Sequence, residues 1–118
     1  MPNRWVKVIN KTRGVALGQR VRKADSFWTR AKGLLGRRGL AEGEGLLLYP
    51  CRGIHSYGMW FDFDAVYLNR QYKIIHIIEC LPPNRRGPML KEAYAVLELP
   101  PGSVAATATA IGDQLVIS

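Results

Sequence analysis

The sequence predicts a mainly β fold, an antiparallel β-sandwich or a partly open β-barrel, with one short α-helix near residues 26–35. Three observations lead there. Short runs of alternating apolar and polar residues recur along the chain, bounded by Gly, Pro, Asn or Asp. One stretch carries a helical apolar stripe. The regular alternation of strand and helix that a doubly wound sheet requires is missing. With 118 residues, 47% of them apolar, the chain is expected to form one domain, residues 1–118, around one core.

In residues 4–10, Arg4, Val6 and Val8 alternate with Trp5, Lys7 and Ile9, which predicts a first strand with a turn at 11–14. Residues 17–23 alternate again and are expected to pair with it antiparallel. Asp25 fits a helix N-cap and Gly36 a stop, and between them Phe27, Ala31, Leu34 and Leu35 share one face. Gly33 inside that helix costs up to about 1 kcal/mol, so the helix depends on tertiary contacts. A Gly-rich loop at 37–45 leads into an apolar strand at 46–49, ended by Pro50. Residues 59–68 predict a long strand. Phe61, Phe63, Ala65 and Tyr67 share one of its faces, and Asp62, Asp64, Val66 and Leu68 the other.

A turn at 69–72 returns the chain into residues 73–79, apolar enough that both faces are expected to be covered. Residues 80–91 hold three prolines with Arg85 and Arg86, and form a long loop. A strand at 93–99 stops at Pro100, Pro101 and Gly102. A helical turn at 103–108, capped by Ser103, and a last strand at 114–117 complete the chain.

The charge is unevenly placed. Residues 1–38 hold eleven Lys and Arg against Asp25 alone, whereas the other 80 residues hold six basic and eight acidic side chains. A basic half suits an anionic ligand or nucleic acid, although no recognition-helix or Gly-rich phosphate motif accompanies it. No apolar run reaches the roughly 18 residues of a membrane span, and no signal-peptide h-region is visible. A cytoplasmic location is expected, with Cys51 and Cys80 as free thiols. Their spacing matches no structural zinc site, and no metal or cofactor is expected.

The central stretch, residues 50–69, brings thiol, imidazole and carboxylates together in sequence. Its candidate ligand-binding residues are Cys51, His55, Met59, Trp60, Asp62 and Asp64. Imidazole can act as a base or metal ligand, and a thiol within hydrogen-bond reach of it can be activated. Cys51 fits equally a small buried residue, His55 a structural hydrogen-bonder, and His76 a sheet-face residue. Asp64, if its face meets the core, needs N–H, Arg or metal partners, while Asp62 is expected in solvent. Tyr57, Met59 and Trp60 fit either a pocket wall beside His55 or the barrel core, and the core is the expectation.

Three motifs carry a family resemblance. Gly33, Leu34, Leu35, Gly36 and Arg37 end the helix. Ile54, His55, Ser56, Met59 and Phe61 lead into Asp64, Tyr67 and Leu68. Leu97, Glu98, Leu99, Pro100 and Gly102 are followed by Gly112 and Asp113. From about Phe27 to Ser118 the chain resembles the bacterial and archaeal family known as domain of unknown function 192. Ser56 stands where that family usually has Thr, Tyr72 where Gly is common, and Asn84 where an aromatic residue is frequent. The resemblance implies a compact β-rich fold and no established reaction.

Taken together, these features predict a non-catalytic binding or accessory module centred on the IHSYGMWFDFD segment. One alternative is a small hydrolase or transferase using Cys51, His55 and Asp64 or a bound metal. The other is a binder of single-stranded nucleic acid or an anionic ligand through the basic N-terminal half.

Overall fold

A computed structural model describes residues 4–24, 39–57 and 59–118. Seven strands form one curled sheet, a half-barrel, in the order β5-β4-β6-β3-β2-β1-β7. They are β1 (Trp5–Asn10), β2 (Val15–Ala24), β3 (Glu44–Leu48), β4 (Phe63–Leu68), β5 (Ile74–Leu81), β6 (Ala95–Leu99) and β7 (Leu115–Ile117). A five-residue helix, α1 (Ser103–Thr107), lies between β6 and β7. Of the two expected architectures, the partly open barrel is the one formed. The predicted helix at 26–35 lies outside the described residues.

Strand pairing departs from an all-antiparallel meander at one place. β2 and β3 run parallel, with Arg20 opposite Glu44 and Ala24 opposite Leu48. Parallel neighbours need a crossover of a dozen or more residues, and residues 25–43 supply that length. All the other named pairs are antiparallel. The sheet's two ends, β5 and β7, meet where they begin. Lys73 bridges Gln114, and Ile74 N–H donates to the Asp113 carbonyl at 2.9 Å.

β4 is shorter than the sequence suggests. Residues 59–62 stay out of the sheet because Met59 N–H donates back to the Ser56 carbonyl and closes a turn. The period of two within β4 holds. Val66 and Leu68 join Val8, Val21, Leu47, Leu97 and Val104 on one side of the sheet, while Phe63, Ala65 and Tyr67 join Leu46, Leu48 and Val96 on the other. Each fully buried Leu, Val or Phe contributes about 1.5–3 kcal/mol, so two covered faces sustain a sheet of short strands. Every residue of β4 and β6 is buried, as central strands require. β5 packs on both core clusters, Ile74 and Ile77 on one and Ile75, Ile78 and Leu81 on the other, but Ile75, Ile77 and Ile78 are only half-buried. β5 is an edge strand, and an edge strand lacks a neighbour on one side.

The turn after β4 explains the residue at 72. Asn69 Oδ1 accepts from the N–H groups of Gln71 and Lys73, and Tyr72 adopts φ 63°. This left-handed conformation is the reason Gly suits the position. Tyr72 holds it because its ring packs on the core and its carbonyl accepts from Leu115 N–H.

A polar knot locks β1 to the chain's end. Buried Asp113 accepts from Arg13 Nε at 2.9 Å, Asn10 Nδ2 at 3.0 Å and Ala110 N–H at 3.0 Å. The hydrogen bond from Arg13, with help from Asn10 and Ala110, outweighs desolvation and holds this carboxyl down at about 2. An unfolded aspartate titrates near 3.9, so the stabilisation is fully present above about pH 4 and is lost as pH falls towards 2. Urea unfolding at a series of pH values should show that loss for the wild type. In Asp113→Asn the slope over this window should flatten and the protein should be less stable at neutral pH.

Candidate functional site

The segment singled out in the sequence pairs with the proline-rich loop to form a second, smaller ribbon beside the barrel. Leu90 N–H donates to the Arg52 carbonyl at 2.8 Å, Gly87 N–H to Ile54 at 2.9 Å, and Ser56 N–H to Arg85 at 2.8 Å. His55 and Arg86 lie opposite each other in antiparallel register. Strand alternation then divides the side chains. Ile54 and Ser56 turn toward the barrel, whereas His55 and Tyr57 are exposed.

Ser56 is the pin of this ribbon. It is fully buried, its hydroxyl donates to the Pro82 carbonyl at 2.5 Å, and it accepts from Arg85 N–H at 2.8 Å. The Ser56 carbonyl accepts from Asn84 N–H as well. A threonine would offer the same hydroxyl. Tyr67 fastens the ribbon to β4 by donating from its hydroxyl to the Pro88 carbonyl at 2.8 Å. Burial, and then the nearby Cys51, pushes the Tyr67 phenol up to about 12, so it stays a donor at any physiological pH. Gly87 has no room for a side chain there. A Cβ would stand 2.5 Å from the Tyr67 hydroxyl oxygen.

The ribbon's outer side is aromatic and basic. The His55 and Tyr57 rings stack with centroids 5.3 Å apart. Trp60 is 66% exposed, Tyr57 48% and Met89 74%. Arg86, opposite His55, shares that side, and Arg52, Arg85 and the acidic Asp62 are exposed in the same two segments. The expectation that Tyr57 and Trp60 belong to the barrel core is therefore corrected, because the turn at Ser56 carries them out past the sheet. Met59 alone of the three packs against the core, half-buried.

Asp64 sits elsewhere, on the opposite face of β4 from Phe63. It is fully buried and accepts from three backbone N–H groups. These are Cys80 at 2.9 Å and Gly102 at 3.3 Å on Oδ1, and Val104 at 2.9 Å on Oδ2. Gly102 and Val104 begin α1, which has no local side-chain cap. Asp64 thus does at long range what an N-cap side chain does locally. The expected cap, Ser103, instead donates from its hydroxyl to the Pro100 carbonyl.

The candidate residues Cys51, His55 and Asp64 are each engaged by different groups. Cys51 is buried and its thiol donates to the Gly53 carbonyl at 2.9 Å, His55 stacks on Tyr57, and Asp64 holds three N–H groups. No disulfide joins Cys51 and Cys80. Among the described residues no cluster of three His, Cys, Asp or Glu side chains could hold a metal ion. No helix among them is long and apolar enough to cross a membrane.

Glu98 in β6, named above only within a family motif and not as a candidate site residue, is the unusual carboxyl among the described residues. It is 3% exposed, and its Oε2 has no hydrogen-bond partner among the described residues. It pairs across the sheet with Leu46 and Ala65, and burial alone pushes its carboxyl up to about 8. The sequence signal was a glutamate at the fourth position of the five-residue apolar strand AVLEL. The other buried carboxylates, Asp64 and Asp113, are fully engaged, so Glu98 is the outlier.

The fold and this surface define a class, a small half-barrel with a loop ribbon laid against one side. Residues 8–117 match the model of the DUF192 family (Uncharacterized ACR), and the chain belongs to that family. A crystal structure of a protein of unknown function from Novosphingobium aromaticivorans is similar, with TM-score 0.79 and 21% identity over 95% of this chain and 83% of that one. Another, described as a candidate transcription regulator from Sinorhizobium meliloti, has TM-score 0.78 and 24% identity, covering 96% and 92%. At these identities the likeness establishes the fold. No curated protein matches the chain.

These placements make stability and pH the quantities to measure. In urea unfolding, Asp64→Ala should cost about 3 kcal/mol or more, because three buried N–H groups are left without a charged acceptor. His55→Ala, at an exposed ring, should stay within about 0.5 kcal/mol of the wild type. For Glu98, the unfolded carboxyl titrates near 4.3 and the folded one near 8, so the native state holds the extra proton between them. Stability should therefore fall as pH rises through that window. Glu98→Gln should remove the slope and be more stable than the wild type at pH 8 by roughly 1–3 kcal/mol. A flat wild-type profile there would show that the carboxyl is partnered.

Proposed function

We propose that this protein is a non-catalytic binding module that takes an anionic partner on the outer side of the ribbon formed by residues 51–60 and 84–90. The observation that carries the reading is the exposure of Tyr57, Trp60 and Met89 on a ribbon that also exposes Arg52, Arg85 and Arg86, with Arg86 opposite His55 and the backbone pinned by buried Ser56. Exposed large apolar side chains grouped on one surface mark interaction sites. Arginine adds planar donors suited to phosphate or carboxylate. The ordered backbone beneath them lowers the entropy cost of binding. A hydrolase or transferase has less support, because Cys51, His55 and Asp64 each serve a separate contact. Two cysteines that form no disulfide with each other support a reducing compartment, the cytoplasm, as its place of action.

A second reading has one observation in its favour. On the β1–β2 hairpin the Arg20 guanidinium lies over the Trp5 ring, 4.5 Å from its centroid, with exposed Lys7 nearby on β1. This face of the basic N-terminal half offers a further contact for an anion.

Heparin chromatography separates the two. The wild type should be retained and released by salt. The double variant Arg85→Glu, Arg86→Glu should elute earlier with unchanged Tm, its salt slope smaller by about 0.7–0.9 for every anionic group it no longer neutralises. Earlier elution of Arg20→Glu instead would move the site to the hairpin. No retention of the wild type would sink the anionic partner altogether.

A further inference from the structure

Resting on the anionic-partner reading, we propose that the ribbon's ligand is single-stranded nucleic acid, with bases stacked on Tyr57 and Trp60 and phosphates held by Arg52, Arg85 and Arg86. The ring surface and the charge have to be satisfied together. Trp60 is 66% exposed and Tyr57 48% exposed, and the Tyr57 ring is braced from one side by His55 at 5.3 Å. A ring stacked on a neighbour on one face keeps the other face for a planar ligand. Nucleobases all present such a face, and stacking on aromatic side chains between basic groups is the general mode of single-strand binding.

An acidic peptide, the other polyanion to consider, needs more than this surface offers. Peptides gain affinity from main-chain pairing at a strand edge or from pockets that take alternate side chains. An open groove of about 500 Å³ lies elsewhere, at α1, lined by Leu17, Gln19, Gly43, Pro101, Ser103 and Ala106, away from the exposed rings that a nucleobase would use. Duplex nucleic acid fits less well too, since its bases are already stacked on each other and withhold their faces. Asp62, exposed in the same segment, marks one border of the surface by repelling phosphate.

The test is fluorescence anisotropy with a labelled oligo(dT) of about 15 nucleotides, beside a duplex and a poly-glutamate peptide of similar length, over a range of salt. The oligonucleotide should bind with an affinity that falls steeply with salt. Trp60→Ala and Tyr57→Ala should each weaken it about 10-fold, with unchanged Tm and nearly unchanged salt slope. Arg85→Glu with Arg86→Glu should weaken it and reduce the slope by about 0.7 for each phosphate left unneutralised. Binding that ignores the ring variants, or a duplex bound as tightly as the single strand, would overturn the proposal. Poly-glutamate bound through Arg85 and Arg86 without oligonucleotide binding would overturn it while leaving the anionic-partner reading standing. Binding of neither probe would remove both.

Discussion

The buried carboxylate of Asp64 is the contact on which most of the rest depends. It lies in β4, a strand buried along its whole length, and ties that strand to two pieces of chain far from it in sequence. One is Cys80, in left-handed conformation at φ 52° near the end of β5. The other holds Gly102 and Val104, where the chain leaves β6 and turns into α1. Burying an ionised group is costly unless hydrogen bonds replace its water, and three N–H donors do so here. Because Cys80 lies two residues before Pro82, the same contact sets where the ribbon's second limb leaves the sheet.

From that anchor the ribbon acquires a dry side and a wet side. Ser56, Tyr67 and Gly87 hold the dry side, two of them through hydroxyls bonded to proline carbonyls. The wet side is then free to carry Tyr57, Trp60 and the arginines without any of them supporting the fold. Residues that hold the fold and residues that stay exposed are separate sets within one short motif.

Glu98 stands outside this pattern of satisfied groups. Its carboxyl lies among Leu46, Ala65 and Val96 and destabilises the native state at high pH. Asp113 acts in the opposite sense, since Arg13 and Asn10 stabilise its charged form and make acid the destabilising condition. The two carboxyls thus place greatest stability at mildly acidic pH, above the titration of Asp113 and at the foot of that of Glu98.

Much of the β architecture was legible from periodicity, because alternation with a period of two reports directly which residues a half-buried strand turns inward. The two faces of β4 follow from it. Pattern alone could not show that β2 and β3 run parallel, because parallel pairing depends on where a long crossover returns. Nor could it show that Asp64 caps a helix forty residues away, or that Trp60 points outward, since a turn closed by Ser56 and Met59 interrupts the alternation. The sequence by itself determined which residues alternate, which segments turn and where chemistry-bearing side chains cluster, all through local sterics and hydrophobic period. Only the tertiary structure decided which of those side chains are used up by backbone N–H groups and which stay exposed, because hydrogen bonds between distant segments leave no local signature.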